Sequence, residues 1–248
     1  MKINSVIKCV VATCAVSLCF FLIASAPKKD KKRVLIFAKT NGYHHSSIEV
    51  GIPVIMKLGM ENGFDVDSTT DSLSFNPDNL KKYAALIFLS TTGKVFGPNE
   101  EKALQDYIHH GGGFIGIHAA TDCEYQWQWY GDLVGGYFKS HPKQQSAKFM
   151  VVDKNHISTS HLPDIWERFD ELYNFKYLNP KVTVLIKIDE KSYTGGENGD
   201  NHPMAWYHEY EGGRAFYTEL GHTDESYSDP NYLKHILGGI QWAAKMKK

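Results

Sequence analysis

The chain has 248 residues, with 27 Lys and Arg against 28 Asp and Glu, and 42% of its residues are hydrophobic. This length suits one large α/β domain or two small ones, and the composition excludes a wholly disordered chain. The net charge near zero argues against a nucleic-acid partner, because nucleic-acid-binding proteins need a basic face to displace counterions from phosphates.

The first 26 residues have the three parts of a secretory signal peptide. Lys2 and Lys8 form a short basic region, residues 9–23 are almost wholly apolar, and Ala-Ser-Ala at residues 24–26 suits a signal peptidase. An uncleaved membrane anchor stays open as an alternative, because the apolar run approaches the length that spans a bilayer. We predict cleavage, a solvated linker over residues 27–32, and export to a bacterial periplasm without stable membrane insertion.

The cysteines support the same interpretation. Three of the four lie within the predicted signal peptide, so the mature chain keeps only Cys123 and forms no internal disulfide. A lipoprotein would need a small residue directly before one of the signal cysteines, and Thr13 and Leu18 stand there instead.

Residues 33–248 alternate strand and helix patterns, without a break that would indicate a second domain. Short apolar runs bounded by charge are typical of strands buried on both faces of a parallel sheet. Ser46 is expected to cap the first helix and Gly63 to end it. The predicted strands are 33–38, 64–69, 84–89 and 114–117, and the predicted helices are 46–62, 77–82 and one from Pro98 to the glycines at 111–113.

The second half is less regular. Glu-Gly-Gly at residues 211–213 predicts a tight hairpin between two strands. The predicted strands here are 147–152, 182–188, 204–210 and 214–220, followed by an amphipathic helix over 232–246. The alternation in the first half requires right-handed βαβ crossovers, so we predict an α/β fold with a doubly wound, mostly parallel sheet, flavodoxin-like in class.

Histidines follow several predicted strands. His44 and His45 come after the first strand, Thr92 after the third, His118 after the fourth and His222 after residues 214–220. Ligands of open α/β sheets bind outside the carboxyl ends of the strands, so these side chains are candidates for one pocket. The structural alternative for each histidine is a hydrogen-bonding role in the core.

His118 stands at the apex of a strand, a small-residue turn and a helix, over residues 112–120. This arrangement resembles a nucleophile elbow, in which hydrolases place Ser or Cys. An imidazole at the apex leaves acyl-enzyme chemistry without its nucleophile, and Cys123 lies five residues too late. The G-x-G-x-x-G pattern at 111–116 precedes a strand instead of following one, so we expect no dinucleotide cofactor there.

An ordered set of motifs resembles the trehalose-utilisation (ThuA-like) family over essentially the whole mature chain. The motifs are Gly42-Tyr43-His44-His45, the elbow with His118, Gly135-Gly136-Tyr137-Phe138 to His141-Pro142, Asp170-Glu171-Leu172-Tyr173, His202-Pro203-Met204-Ala205-Trp206, Gly213-Arg214-Ala215-Phe216-Tyr217 and Gly221-His222. The resemblance implies a fold like that of class I glutamine amidotransferases without their catalytic cysteine. It also implies a role in sugar catabolism, with 3-keto derivatives of disaccharides or glycosides as the substrate class.

Two classes of function follow from these residues and the resemblance. One is an enzyme in which His118, Glu171, His44 and His222 act as acids and bases on a sugar, and the other is a non-catalytic sugar-binding or accessory protein. The resemblance places Glu171 in the site, and the neighbours Phe169, Leu172 and Phe175 are expected to raise its pKa. The predicted substrate-binding residues are His45, Thr92, Asp122, Trp127, His141, Tyr173, Trp206 and Arg214.

We predict no cofactor, with a metal as the open alternative. His44, His118 and His222 with Glu171 or Asp122 would supply the three nitrogens and one oxygen that a catalytic zinc site uses. No H-x-x-x-H or C-x-x-C spacing fixes two such ligands locally.

Overall fold

The computed structural model describes residues 31–247. The predicted signal peptide and residues 27–30 of the linker lie outside the described residues, so cleavage and export stay predictions. Between residues 31 and 247, no helix combines the length and the apolar character needed to cross a membrane.

Eleven strands and five α-helices make up this part of the chain. The strands are β1 (Arg33–Phe37), β2 (Asp65–Thr69), β3 (Ala85–Leu89), β4 (Gly113–Ile117), β5 (Gly136–Ser140), β6 (Gln145–Val151), β7 (Ile165–Asp170), β8 (Asn174–Leu178), β9 (Thr183–Ile188), β10 (Pro203–Tyr210) and β11 (Gly213–Thr218). The helices are α1 (Ser47–Asn62), α2 (Pro77–Leu80), α3 (Pro98–His109), α4 (Gln128–Val134) and α5 (Pro230–Ala243).

Nine strands form one sheet in the order β2-β1-β3-β4-β11-β10-β9-β6-β7, and β5 and β8 form a small antiparallel pair. The first five strands of the large sheet are parallel, and the other four extend it in antiparallel fashion. The last of the parallel strands, β11, comes late in the sequence and lies between β4 and β10. The predicted α/β fold class is confirmed.

The apolar runs explain why the sheet is covered on both faces. Every residue of β3 and β4 is buried, as expected for central parallel strands. On β11, the Phe216 ring lies close to Gly239 of α5, whereas Tyr217 stacks on Trp206 on the other face, with ring centroids 4.4 Å apart. Successive residues of one strand therefore fill two different apolar layers.

Two turn predictions have different outcomes. Gly63 ends α1 with a left-handed φ of 80°, as predicted, whereas the Ser46 side chain makes no capping hydrogen bond. The Ser46 backbone is itself helical, and its hydroxyl donates to Asp224 instead. Glu211 and Gly212 both have positive φ, which is the geometry of the predicted tight hairpin between β10 and β11.

Four elements, β5, β7, β8 and α4, were not predicted from the sequence. The outermost strand, β7, alternates buried and exposed positions and carries Glu167 and Arg168, so it lacks the apolar run that marks β1 or β3. Short strands with one buried face, one exposed face and charged residues are typical of sheet edges, and their sequences resemble those of loops.

Candidate active site

Three histidines meet at the carboxyl edge of the parallel strands. His45 follows β1, His118 directly follows β4, and His222 follows β11. Because β4 and β11 are hydrogen-bonded neighbours in parallel register, their carboxyl ends place His118 and His222 side by side.

Glu171 reaches this place from the far edge of the sheet, where it follows β7. Its neighbour Asp170 is buried and accepts hydrogen bonds from the backbone amides of Gly221 and His222, each at 3.2 Å. Arg168 Nη2 donates to the same carboxylate at 2.9 Å. Asp170 therefore fastens the end of β7 to the loop after β11, and this contact brings Glu171 to the histidines.

Four side chains converge there within a few ångströms. His118 Nε2 lies 3.1 Å from His222 Nδ1, and Glu171 Oε2 lies 3.4 Å from the first nitrogen and 3.2 Å from the second. The His45 ring lies against both histidines, with centroid distances of 4.8 and 5.2 Å. We refer to the four residues as the histidine–glutamate cluster: His45, His118, Glu171 and His222.

His118 occupies the turn that the sequence analysis compared with a nucleophile elbow. Its φ is 51°, in the left-handed region that costs an ordinary side chain about 1–2 kcal/mol. Its ring is fully buried, and Nδ1 lies 2.8 Å from the backbone oxygen of Glu219. This hydrogen bond places a proton on Nδ1 and turns Nε2 toward the other members of the cluster.

Burial and mutual contact set the charge states in the cluster. Burial, together with the neighbouring His118 and His222, lowers the pKa of His45 to about 3. Burial alone would lower the pKa of His222 as well, but its hydrogen bond to the Glu171 carboxylate and the charge of that group raise it. His45 is therefore neutral, whereas His222 and Glu171 form an ion pair.

The expectation that apolar neighbours raise the pKa of Glu171 is wrong. Burial acts in that direction, but the hydrogen bonds and charges of His118 and His222 outweigh it and hold the pKa well below its usual range. Moreover, the Phe169 side chain is about half exposed and provides little desolvation. Glu171 is therefore an anion that stabilises positive charge on its neighbours.

A pocket of about 360 Å³ opens above the cluster, which is within the range of small-molecule sites. Its walls combine aromatic rings with polar side chains: His141 Nδ1 lies 3.2 Å from Glu171 Oε1, and Gln144 Nε2 lies 2.6 Å from His222 Nε2. Burial raises the pKa of Asp122 in the wall. The lining residues are Tyr43, His45, Asp122, Phe138, His141, Gln144, Glu171, Tyr173 and His222.

Among the predicted site residues, the pocket contains His45, Asp122, His141, Glu171, Tyr173 and His222, with His118 beneath it. The pocket residues Tyr43, Phe138 and Gln144 and the positioning residues Asp170 and Glu219 were not predicted as site residues. The sequence could have indicated Asp170 as a site residue, because it belongs to the same motif as Glu171. Gln144 lies in a loop without a recognisable pattern.

His44 and Thr92 lie outside the cluster. The His44 side chain is 52% exposed and contacts Glu49. The neighbouring His45, and not the predicted His44, belongs to the cluster. Thr92 is buried, and its hydroxyl donates to the Tyr43 carbonyl oxygen at 2.8 Å, which fixes the loop after β1.

Trp127, Trp206 and Arg214 also lie outside the pocket. Trp127 stacks on Trp129, and Trp206 is a core residue whose indole donates to the Val134 carbonyl oxygen. Arg214 lies at the amino end of β11 with its guanidinium over the Trp242 ring. The strand separates Arg214 from Thr218 at its carboxyl end by about 13 Å, at roughly 3.3 Å per residue.

A larger cavity, of about 580 Å³, opens at the opposite, amino edge of the sheet. Its lining includes Leu80, Tyr83 and Tyr107, and it is mostly apolar. In the described part of the chain, the histidine–glutamate cluster is the one group of three or more His, Cys, Asp or Glu side chains that could share an ion. The side chains suited to acid–base chemistry or metal binding are therefore grouped at the carboxyl edge of the sheet.

Comparisons with known proteins agree with this architecture. The family model described as "Trehalose utilisation" (ThuA) matches residues 33–243. A thua-like protein from Bacteroides uniformis superposes with a TM-score of 0.74 at 23% identity, covering 89% of this chain and 94% of that one. A second, from Parabacteroides merdae, gives 0.71 at 21% identity, covering 88% and 91%.

More distant similarity extends to part of a larger enzyme. A β-galactosidase from Bacillus circulans matches with a TM-score of 0.57 and 11% identity, over 86% of this chain and 31% of that one. At such identities the similarity shows the fold alone. A search of curated proteins finds no match.

Proposed function

Because the chain belongs to the trehalose-utilisation (ThuA) family, and so to carbohydrate metabolism, we propose that it converts a 3-keto disaccharide or glycoside by proton transfer. The observation that carries the proposal is the convergence of His118, Glu171 and His222 within 3.4 Å at the floor of a small pocket. Buried acids and bases gathered in this way are typical of catalytic sites.

The substrate class suits acid–base catalysis, because a ketone acidifies the neighbouring C–H bond. A base removes the proton from the carbon next to the ketone, and that electron pair forms a double bond as the glycosidic C–O bond breaks. The departing oxygen takes up a proton from an acid. The products are an unsaturated keto sugar and a free alcohol, so the step needs no oxidant or reductant.

The pocket supplies groups for both halves of this reaction. The Glu171–His222 ion pair holds a proton at the floor, and His118 is oriented beside it by the Glu219 carbonyl oxygen. Tyr173 and Phe138, whose ring centroids are 4.2 Å apart, line the wall where the C–H face of a sugar would pack.

A non-catalytic sugar-binding protein is the second candidate. The observation that favours it is the complete burial of His118, which limits direct contact with a substrate. Loss of turnover with binding retained on mutation distinguishes catalysis from recognition.

The test compares wild type with His118→Asn on 3-keto-trehalose and a simple 3-keto glycoside. Asparagine tolerates a positive φ and keeps a donor for the Glu219 carbonyl oxygen, so the fold should be retained while the second ring nitrogen is lost. We expect the release of the departing alcohol, which is a free sugar in the case of the disaccharide, to fall by about 10²–10⁴-fold when measured by chromatography. Calorimetric binding of the same sugar should change little.

Two results would overturn the proposal. One is a wild type that binds keto sugars and converts none of them, which establishes the binding protein. The other is full turnover by His118→Asn, which removes the cluster from the reaction.

A further inference from the structure

We propose that the histidine–glutamate cluster binds one divalent transition-metal ion, with zinc as the representative. The proposal concerns the same pocket as the proposed function, and it rests on that function only for what the ion would do there. The geometry, the donor chemistry and the hydrogen bonding of the cluster support metal binding by themselves.

The distances between donor atoms match those around a tetrahedral ion. The triangle of His118 Nε2, His222 Nδ1 and Glu171 Oε2 has edges of 3.1, 3.2 and 3.4 Å. Zinc–nitrogen bonds of about 2.0–2.1 Å put neighbouring ligands of a tetrahedron about 3.3–3.4 Å apart. One ion therefore fits above this triangle with small movements of the side chains.

The donor set selects the class of metal. Three imidazoles and one carboxylate suit zinc and related transition ions, whereas calcium and magnesium require mostly oxygen ligands. With His45 included, all four donor atoms lie within 4.8 Å of one another.

Groups around the cluster contact the outward-facing ring nitrogens of His118 and His222. Metal-binding histidines are usually oriented in this way, by a hydrogen bond from the nitrogen that does not bind the metal. The bond from His118 Nδ1 to the Glu219 carbonyl oxygen directs Nε2 to the centre of the cluster. The Gln144 amide lies 2.6 Å from His222 Nε2, where a half-turn of the amide lets its oxygen accept the ring proton and leaves Nδ1 free for the ion.

His45 provides an independent observation. Its side chain is 96% buried, yet among residues 31–247 its Nδ1 has no hydrogen-bond partner. A buried polar atom without a partner costs about 1–3 kcal/mol. Among the same residues, His156 Nε2 and His235 Nε2 also have no partner, but neither residue belongs to a group of side chains that could share an ion. The geometry of His45 therefore offers a ring nitrogen with no partner in the described part of the protein, beside two other imidazoles and a carboxylate.

The ion would change how the pocket works on a keto sugar. A bound divalent ion polarises a carbonyl oxygen, which further acidifies the neighbouring C–H bond. Proton transfer would then fall to the wall residues His141 and Asp122, which remain outside the ligand set.

The experiment uses tag-free protein that has been dialysed against a chelator and then returned to buffer. We expect calorimetric titration with Zn²⁺ to give one site per chain, and Co²⁺ to give the visible absorption bands of a four- or five-coordinate ion. Zn²⁺ should also raise the melting temperature, because a ligand that binds only the folded state stabilises it.

Glu171→Gln is the main variant, because it removes one negative ligand with almost no change in shape. It should weaken Zn²⁺ binding by about 100-fold or more and alter the Co²⁺ spectrum. His45→Ala and His44→Ala form a matched pair, since they remove neighbouring imidazoles of which only the first lies in the cluster. His45→Ala should weaken binding and His44→Ala should leave it unchanged.

Absence of a one-to-one site in wild type, or equal affinity in Glu171→Gln, would overturn the metal proposal. Circular dichroism of each metal-free variant shows whether it folds, and the conservative glutamine keeps the test valid if an alanine variant does not. Turnover of a keto sugar by chelated protein would support the proposed function alone. One-to-one binding without turnover would support the metal site alone.

Discussion

Two groups of buried histidines differ in what their ring nitrogens face. The site group surrounds Glu171, whereas the core group forms no ion pair with a carboxylate in the described part of the chain. The site group is His45, His118 and the mostly buried His222, and the core group is His156, His208 and His235. His202 is also buried, but it pairs with Glu190 and belongs to neither group.

Each core histidine has local partners in the packed interior. His235 Nδ1 donates to the Ser158 carbonyl oxygen at 2.9 Å, and His208 Nε2 donates to that of Leu133 at 2.8 Å. Burial lowers the pKa of His235 to about 3, as it does for His45 in the site. Burial alone therefore makes a histidine a neutral packing residue, whereas convergence of several histidines on one carboxylate makes a candidate site.

The largest expected effect separates the two groups directly. His222→Ala should lower turnover of a keto sugar by about 10²–10⁴-fold with a small change in the free energy of unfolding. His208→Ala should leave turnover unchanged but lower that free energy by about 2–4 kcal/mol, because it opens a cavity and leaves the Leu133 carbonyl oxygen unpaired. Steady-state kinetics measures turnover, and urea denaturation measures the free energy of unfolding. If the two variants lost the same amounts of turnover and of stability, the distinction between site and core histidines would be wrong.

The core group should also make the protein less stable in acid. Below pH 6.5 the unfolded chain protonates His235, whereas the folded chain does not until the pH approaches 3, so stability is lost over this window. Between pH 7.5 and 5, His235 should contribute a loss of about 2 kcal/mol. In His235→Asn that part of the pH dependence should disappear, while the exposed control His44→Asn should behave as wild type. Urea denaturation at several pH values tests this, and identical slopes for all three proteins would contradict it.

The smallest effect is expected at Cys123, which lies near His118 in sequence but belongs to the core by its surroundings. It is fully buried, its thiol lies 3.2 Å from the Gly93 carbonyl oxygen, and burial raises the pKa of the thiol. Cys123→Ala should leave turnover intact and lower the free energy of unfolding by about 1 kcal/mol. A thiol reagent should not label the native protein. Rapid labelling, or loss of turnover in this variant, would indicate a thiol mechanism.

Much of the fold could be predicted because central strands carry a strong signal. The apolar runs of β1, β3 and β4 stand out from charged flanks, and parallel topology then gathers the residues after them at one edge. This reasoning brings His118 and His222 together from sequence alone. The edge strand β7 was missed because half of its residues face solvent.

The rest of the site depended on details that no periodic pattern encodes. His44 and His45 lie in a loop without regular alternation, so the sequence did not decide which ring turns inward. Arg214 and Trp206 belong to recognisable motifs, but a motif does not say which end or face of a strand a residue occupies. The ion pairing that lowers the pKa of Glu171 arises from partners more than 50 residues away.

The position of β11 between β4 and β10 has a consequence for the order of folding. Chains emerge from the ribosome amino end first, so one edge of β4 has no hydrogen-bonding partner until β11 has been synthesised. Every residue of β4 is buried in the folded protein, so this unpaired edge is apolar. His118 and His222 are 104 residues apart, and the loop between them must close before the cluster exists. Nothing that binds the cluster can therefore guide the early steps of folding, and the unpaired edge is where premature chains would associate with one another.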